Sequence, residues 1–170
     1  MIPSYYRAMK NSIGIDLYDG DFPTIASFLW SRLVFDWYAQ HVCGSPSLPG
    51  PKKKSERTGP SWPIVIDGDD LINDENVAKD FCKQMQIDPQ YLQTSWDMIP
   101  EEQRANQGIM LTAFLSTIQK STGIVKSQEV DMDKEKEKLL AEFGEEVGGT
   151  LAEFVEMAMP DYLLLREYRL

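Results

Sequence analysis

The sequence has very little of the chemistry from which enzyme active sites and metal centres are commonly built. It holds one histidine, His41, and two cysteines, Cys43 and Cys82, which lack zinc-ligand spacing. No glycine-rich phosphate loop of the GxGxxG or GxxxxGK[ST] type occurs in it. A lone histidine that ends an apolar helix is more typical of a helix C-terminus contact than of a catalyst. The cysteines indicate free thiols in a reducing compartment, with a disulfide as the alternative.

Positive charge and long apolar runs are also scarce. Seventeen Lys and Arg stand against 27 Asp and Glu, which gives a net charge of −10 and argues against nucleic acid or an anionic membrane as a partner. No apolar run is long enough to cross a bilayer, and the first ten residues, MIPSYYRAMK, lack the layout of a secretory signal. We therefore predict a cytoplasmic protein with no nucleic-acid or membrane partner.

Apolar and aromatic residues, by contrast, are plentiful. The 170 residues are 42% hydrophobic and include four Trp, seven Phe and seven Tyr, enough for one packed domain over 1–170. Five prolines and three glycines in residues 44–63 predict a flexible Pro/Gly/Lys loop. Its basic residues suit a solvated loop better than a phosphate site. Residues 131–170 are predicted to form an acidic helical C-terminal extension.

One convincing β-strand is visible, the β-branched run Ile64–Ile66. An acidic turn follows it, and then a helix that Asn73 or Asp74 can cap; strand, corner and helix together are half of a βαβ unit. The three carboxylates of the turn, Asp67, Asp69 and Asp70, can be explained as the corner where the chain enters the helix; a cation site or a catalytic base is the alternative reading.

Helical patterns dominate the rest of the chain. The strongest is one continuous helix over 24–42, capped by Asp21 or Thr24 and apolar on nearly every face, which indicates core packing rather than a ligand-binding stripe. Pro100 opens another helix that ends before Gly123. Further helices are predicted over 1–10, 76–85, 131–143 and 150–157, with glycine breaks at 144, 148 and 149 and a stop at Pro160.

Two segments resemble the signature of P-loop sulfotransferase-like proteins. Residues 2–7, IPSYYR, are similar to that family's Ser-Tyr-Tyr helix start, and residues 63–71, PIVIDGDDL, to its later strand and acidic corner. Trp96 and Ser121-Thr122-Gly123 resemble a fungal and bacterial branch of the group. The resemblance covers roughly residues 1–125. It implies an α-rich remnant of an α/β P-loop fold, with five or more helices and one short parallel-type strand at 64–66.

The resemblance also implies a site residue. In the family, the serine of the Ser-Tyr-Tyr run holds the 3′-phosphate of the sulfate donor, 3′-phosphoadenylyl sulfate, and this role falls on Ser4. The family's phosphate loop, its catalytic base and the arginine that partners the serine all precede it, so they are not in this sequence. We therefore expect the chain to correspond to the C-terminal portion of such a protein, through a shortened gene or a start drawn too late. On this reading no catalytic residue or metal ligand can be named, and this chain alone binds no cofactor.

Two functions follow from these observations. The first is a sulfotransferase-like protein, related to enzymes that move sulfuryl from 3′-phosphoadenylyl sulfate to a small hydroxylated acceptor. The alternative is a non-catalytic remnant that acts as an interaction or accessory protein. Because the helix over 24–42 is apolar on so many faces, we also expect part of it to face water and to favour an oligomer or a protein partner.

Overall fold

The computed structural model describes residues 2–41, 63–126 and 130–170, and it is built almost entirely from helices. The loop predicted over 44–63 and Cys43 lie outside these residues, apart from Pro63. The helices, in chain order, are α1 (Ile2–Ile13), α2 (Asp21–Ile25), α3 (Leu29–His41), α4 (Gly68–Asn73), α5 (Glu75–Gln84), a 3₁₀ turn (Pro89–Tyr91), α6 (Glu101–Ala105), α7 (Ile109–Lys120) and α8 (Met132–Glu167). The helix-rich fold expected from the sequence is confirmed.

The parallel orientation predicted for the strand at 64–66 is confirmed, but its predicted length is not. Val65 forms a single parallel bridge with Arg169, and the Leu170 amide donates to the Val65 carbonyl over 3.0 Å. A second isolated bridge, antiparallel, joins Ser95 and Gly123. Within the described ranges β-structure consists of these two bridges.

The chain divides into two compact units. The first unit consists of Met1–Ser27 and Thr94–Met157, and the second of Phe28–Gln93 and Ala158–Leu170. The single domain expected over 1–170 stays a prediction. No helix among the described residues combines the length and apolarity needed to cross a membrane.

The core of the first unit is aromatic. Phe22 is fully buried, and its ring centroid lies 5.7 Å from that of Tyr5, 5.9 Å from that of Tyr6 and 5.7 Å from that of Phe154. Tyr5 also stacks on Phe114, 6.0 Å away, which joins α1 to α7. Aromatic pairs at these separations add to the stabilisation from buried area, so this cluster fixes the position of α1.

The helix predicted over 24–42 is broken in two. α2 ends at Ile25 and α3 begins at Leu29, and no side chain caps α2 at Gly20. At the break the Ser27 hydroxyl donates to the Thr24 carbonyl over 3.1 Å. Serine and threonine side chains offer the backbone such local alternatives to helix hydrogen bonds, which accounts for the interruption.

Two further local predictions are corrected. Residues 68–70, read as a turn, are the first residues of α4, whose N-cap is Asp67. The single helix predicted from Pro100 to the stop at Gly123 is two helices, α6 and α7, separated at Asn106–Gly108. Asn106 donates from its side-chain amide to the Glu102 carbonyl over 3.1 Å, a further case of a side chain bonding the backbone at a helix end. Asp74 caps α5 as predicted, by accepting from the Asn76 amide over 2.9 Å.

α8 is a helical hairpin that turns at Gly144. Gly144 has φ 81° and ψ 173°, a conformation open essentially only to glycine. Lys136 lies 3.2 Å from Glu156, whereas twenty residues of straight helix would separate them by roughly 30 Å. The predicted break at Gly144 is therefore confirmed, and the two arms, 132–143 and 145–167, run back along one another.

The predicted breaks at Gly148, Gly149 and Pro160 are wrong, because the second arm continues through all three. Thr150, the first residue of the helix predicted over 150–157, lies inside this arm, and its hydroxyl donates to the Glu146 carbonyl over 2.9 Å. A Cβ at Gly148 would lie 2.5 Å from the Leu139 carbonyl oxygen. The glycine is therefore required by close approach of the two arms and not by a helix end.

Candidate functional site

Ser4 lies in the first turn of α1 and is exposed. The first amides of a helix have no partner within the helix, so an exposed hydroxyl in this turn is well placed to contact an anion. Ile2, Tyr6 and Met9 are buried on the opposite side of the helix. Their burial orients α1 so that Ser4 faces solvent.

The two tyrosines after Ser4 are packing residues. Tyr6 is buried and meets Phe22 and Phe143 edge to face, at centroid distances of 5.9 and 5.3 Å. Tyr5 contacts Phe22 and Phe114. The Ser-Tyr-Tyr run thus places one hydroxyl outside and two rings in the core.

The nearest cations along α1 are already engaged. Arg7, one turn from Ser4, binds Glu142 through two guanidinium nitrogens at 2.9 and 2.6 Å. This contact raises the pKa of Arg7 and lowers the pKa of the Glu142 carboxyl. Lys10 lies over the rings of Tyr6 and Phe143, 5.6 and 5.3 Å from their centroids. An anion at Ser4 would therefore have to compete with Glu142 for Arg7.

The acidic corner at Asp67–Asp70 belongs to the second unit, and it is held by the C-terminal part of the chain. Asp67 accepts hydrogen bonds from the Asp69 amide at 3.0 Å and from the Tyr162 hydroxyl at 2.9 Å. Its carboxylate lies 3.4 Å from Arg166 Nε, and the Asp67 side chain is only 7% exposed. Arg169 donates to Asp70 over 2.6 Å. These contacts support the reading of the corner as a helix entry.

The corner shows no sign of a cation site. Across 2–41, 63–126 and 130–170, no group of three or more His, Cys, Asp or Glu side chains is arranged to hold a metal ion. Two of the three carboxylates instead neutralise arginines of the same unit. Their role in the described structure is therefore to join α4 to the end of the chain.

The partners of this corner were missed at the level of sequence, although a signal for them existed. The helix stop predicted at Pro160 leaves residues 162–170, YLLLREYRL, as a short apolar tail. Tyr162, Arg166 and Arg169 have the i, i+4, i+7 spacing of one helix face, and α8 extends to Glu167. A polar stripe of this kind on an otherwise apolar segment indicates a contact with acidic residues elsewhere in the chain.

Tyr162 makes the stability of this corner depend on pH. Burial, followed by the hydrogen bond to Asp67, raises the pKa of Tyr162 above its usual value of about 10. Between the unfolded and the folded pKa the folded chain keeps a proton that the unfolded chain releases. The contribution of Tyr162 to stability is therefore complete below about pH 10 and is lost as pH rises through the folded pKa.

We expect the Tyr162→Phe variant to flatten this alkaline loss. Phenylalanine keeps the ring that packs 5.3 Å from Phe28 but cannot titrate or bond to Asp67. Urea unfolding at intervals from about pH 9 to 11 should show wild-type stability falling more steeply than that of the variant. Parallel curves for the two proteins would contradict this assignment.

His41 and Cys82 have structural contacts. The His41 ring nitrogen Nδ1 lies 2.9 Å from the Trp37 carbonyl, and the ring stacks on the Trp37 indole at 5.0 Å. This confirms the interpretation of His41 as a helix C-terminus residue. Cys82 is a buried free thiol on α5.

Two known proteins are similar to this chain along nearly its whole length. The sulfotransferase ppzF of Metarhizium majus is 32% identical over 176 residues, which cover 99% of this chain and 49% of that protein. The protein of the same name from Metarhizium rileyi is 31% identical over the same shares. The chain is related to fungal sulfotransferases.

The relationship has clear bounds. The chain spans about half the length of the curated relatives it matches. No family model matches its sequence, and no solved structure matches it. The sulfotransferase-like resemblance is thus supported by two fungal proteins, while no solved structure supports the P-loop fold expected from the same resemblance.

Proposed function

We propose that this chain forms part of a sulfotransferase that moves sulfuryl from 3′-phosphoadenylyl sulfate to a small hydroxylated acceptor. The observation that carries the proposal is the similarity to two fungal sulfotransferases over 99% of the chain. The exposed position of Ser4 in the first turn of α1 is compatible with the 3′-phosphate contact that the resemblance implies.

Among the described residues, those around Ser4 supply only part of a nucleotide site. Ser4 offers an exposed hydroxyl in the first turn of a helix, which fits one phosphate group. Arg7 and Lys10, the nearby cations, are engaged by Glu142 and by aromatic rings. A hydrogen bond to a charged group contributes about 1.5–3 kcal/mol, whereas ordering a ligand costs several. We therefore expect residues 1–170 alone to bind nucleotide weakly.

Calorimetry with 3′-phosphoadenosine 5′-phosphate tests this expectation in two proteins. Residues 1–170 alone should show no micromolar binding. The second protein is a chimera in which this chain is joined to the half of the Metarhizium majus protein that it does not match. This chimera should bind the nucleotide measurably. Micromolar binding by residues 1–170 would show that this chain already holds a complete site. A chimera that binds no nucleotide would count against the enzyme proposal.

Within the chimera, Ser4→Ala should weaken nucleotide binding about tenfold or more, because it removes a hydrogen bond to a charged phosphate. Ser12→Ala is the matched control. Ser12 lies on the same helix, but its hydroxyl bonds the Ala8 carbonyl, so its loss should leave nucleotide affinity unchanged. Equal effects of the two substitutions would remove Ser4 from the site.

A second candidate function is that of a non-catalytic interaction or accessory protein. The observation that favours it is the water-facing apolar surface of α3, where Trp30 and Trp37 are more than half exposed. Nucleotide binding by the chimera separates the two candidates, since an accessory protein needs no donor site.

A further inference from the structure

Arg104 differs from the other arginines of the described structure in having no carboxylate partner. The others form ion pairs: Arg7 with Glu142, Arg32 with Asp36, Arg166 with Asp67 and Arg169 with Asp70. Across residues 2–41, 63–126 and 130–170, no acidic side chain pairs with Arg104, which lies in α6. Acidic residues outnumber basic ones by 27 to 17 in the whole chain, so a shortage of carboxylates does not account for this.

The guanidinium of Arg104 is held partly inside the first unit. Its Nε atom is buried and has no hydrogen-bond partner among the described residues, whereas the side chain as a whole is only partly buried. The two terminal nitrogens are not closed off in this way, so Arg104 meets its surroundings through them. A guanidinium is always charged, and one that has lost water at an N–H without gaining an acceptor is costly to fold. Such a group indicates a contact that the described residues do not supply.

Gln107 offers a second donor at the other end of the turn that joins α6 to α7. The Gln107 amide donates to the Arg104 carbonyl over 3.1 Å, and a turn closed in this way brings its first and last Cα atoms within about 7 Å of each other. The side-chain oxygen of Gln107 accepts from Nε2 of Gln119, which is only 2% exposed. This bond fixes the direction of the Gln107 amide. Its NH₂ group, which has no partner in the described part of the chain, is left to donate elsewhere.

We propose that the turn between α6 and α7 binds an oxyanion through the guanidinium of Arg104, with the side-chain NH₂ of Gln107 as a second donor. Both groups donate and neither accepts, so the ligand that fits them has acceptor atoms and a negative charge. The planar fork of a guanidinium matches the paired oxygens of phosphate, sulfate and carboxylate groups. Because the stem of Arg104 and the amide of Gln107 are already held, little side-chain freedom is lost on binding. This oxyanion site is independent of the sulfotransferase proposal, since it shares no residue with the Ser4 contact.

Nitrogen–proton correlation spectra of the full chain test the site. The Nε–H signal of Arg104 should be visible at neutral pH, because its burial slows exchange with water, and it is assigned by its loss in Arg104→Lys. Sodium sulfate, phosphate and acetate are then added in turn, with chloride as the reference salt at equal ionic strength. Sulfate or phosphate should shift the signals of Arg104 Nε–H and Gln107 NH₂ together and to saturation. Tighter binding of acetate than of either would instead assign the site to a carboxylate group.

Three variants separate a specific site from general attraction of anions. Arg104→Lys keeps the charge but loses the fork, and it should weaken oxyanion binding about tenfold or more, read from the Gln107 NH₂ signals. Gln107→Leu should weaken binding less, since it removes a neutral donor. Lys120→Gln is the matched control, because it removes one exposed positive charge from the same unit, and it should leave the affinity unchanged. Circular dichroism should show that all three variants keep their helix content.

Several outcomes would overturn this site. Shifts that chloride reproduces, or that persist unchanged in Arg104→Lys, would mean that the added salts act on the protein as a whole. Equal loss of affinity in Lys120→Gln and Arg104→Lys would have the same meaning. Glu129 belongs to residues 127–129, which lie outside the described ranges, so Glu129→Gln is compared without added oxyanion. A displaced Arg104 Nε–H signal in that variant would show that an acid of the chain itself pairs with Arg104.

Discussion

Replacing Gly148 with alanine should destabilise the first unit by about 2 kcal/mol or more. The new Cβ would lie 2.5 Å from the Leu139 carbonyl oxygen and 2.9 Å from the Leu140 Cα, both of which are backbone atoms. Backbone cannot yield as a flexible side chain does, so the two arms of α8 must move apart. Overpacking of this kind costs about 1–3 kcal/mol, and Leu139 and Leu151, both buried, lie in the part of the core that would open.

The neighbouring glycines supply controls. Gly149→Ala meets no atom within 4 Å, so it should gain about 0.5–1 kcal/mol from the better helix propensity of alanine. Gly144→Ala also meets nothing, but its φ of 81° should cost about 1–3 kcal/mol in backbone strain. Urea unfolding followed by circular dichroism measures all three variants. If Gly148→Ala is as stable as Gly149→Ala, the two arms do not approach as closely as described.

These glycines show where prediction from sequence succeeds and where it stops. Gly144 was predicted correctly because a glycine after a charged amphipathic helix is a local signal that the helix ends. The positive φ of Gly144 is the conformation that such an end favours. Gly148 is a glycine for a different reason, which is the close approach of the backbone at Leu139, nine residues earlier. No local pattern distinguishes the two, since the second depends on how the arms pack.

Pro160 is a similar case. A proline inside a helix costs about 3 kcal/mol, which made a helix end the natural prediction. The helix continues because the residues around Pro160 are held by packing: Ala158 and Leu165 are buried, and Tyr162 bonds Asp67. Tertiary contacts of the second unit therefore outweigh a strong local signal.

For the candidate site, too, local features could be predicted from the sequence, whereas long-range contacts could not. The position of Ser4 in the first turn of a helix follows from local sequence, as does the C-terminal contact of His41. The engagement of Arg7 by Glu142 does not, because 135 residues separate them. The apolar pattern of α3 predicted that this segment is helical. It did not predict that Phe35 is buried while Trp37 faces water.

Asp67→Ala should have the second large effect, a loss of about 2–4 kcal/mol in the stability of the second unit. The change removes the N-cap of α4, which is worth about 1 kcal/mol. It also leaves the half-buried Tyr162 hydroxyl without its carboxylate, a hydrogen bond of about 1.5–3 kcal/mol. The contact with Arg166 adds little, because the arginine side chain is 44% exposed. Asp67→Asn should lose less, since an amide oxygen can still cap the helix.

Asp69→Ala is the control for this prediction, because Asp69 lies in the same turn but is exposed, and its loss should stay within about 0.5 kcal/mol. Hydrogen exchange monitored by mass spectrometry locates the effect. Asp67→Ala should accelerate exchange in α4 and in residues 162–170, because Asp67 is the residue through which Tyr162 and Arg166 reach the start of that helix. Equal stability of the Asp67 and Asp69 variants would show that the corner is a surface turn whose bonds to Tyr162 and Arg166 contribute nothing measurable to the fold.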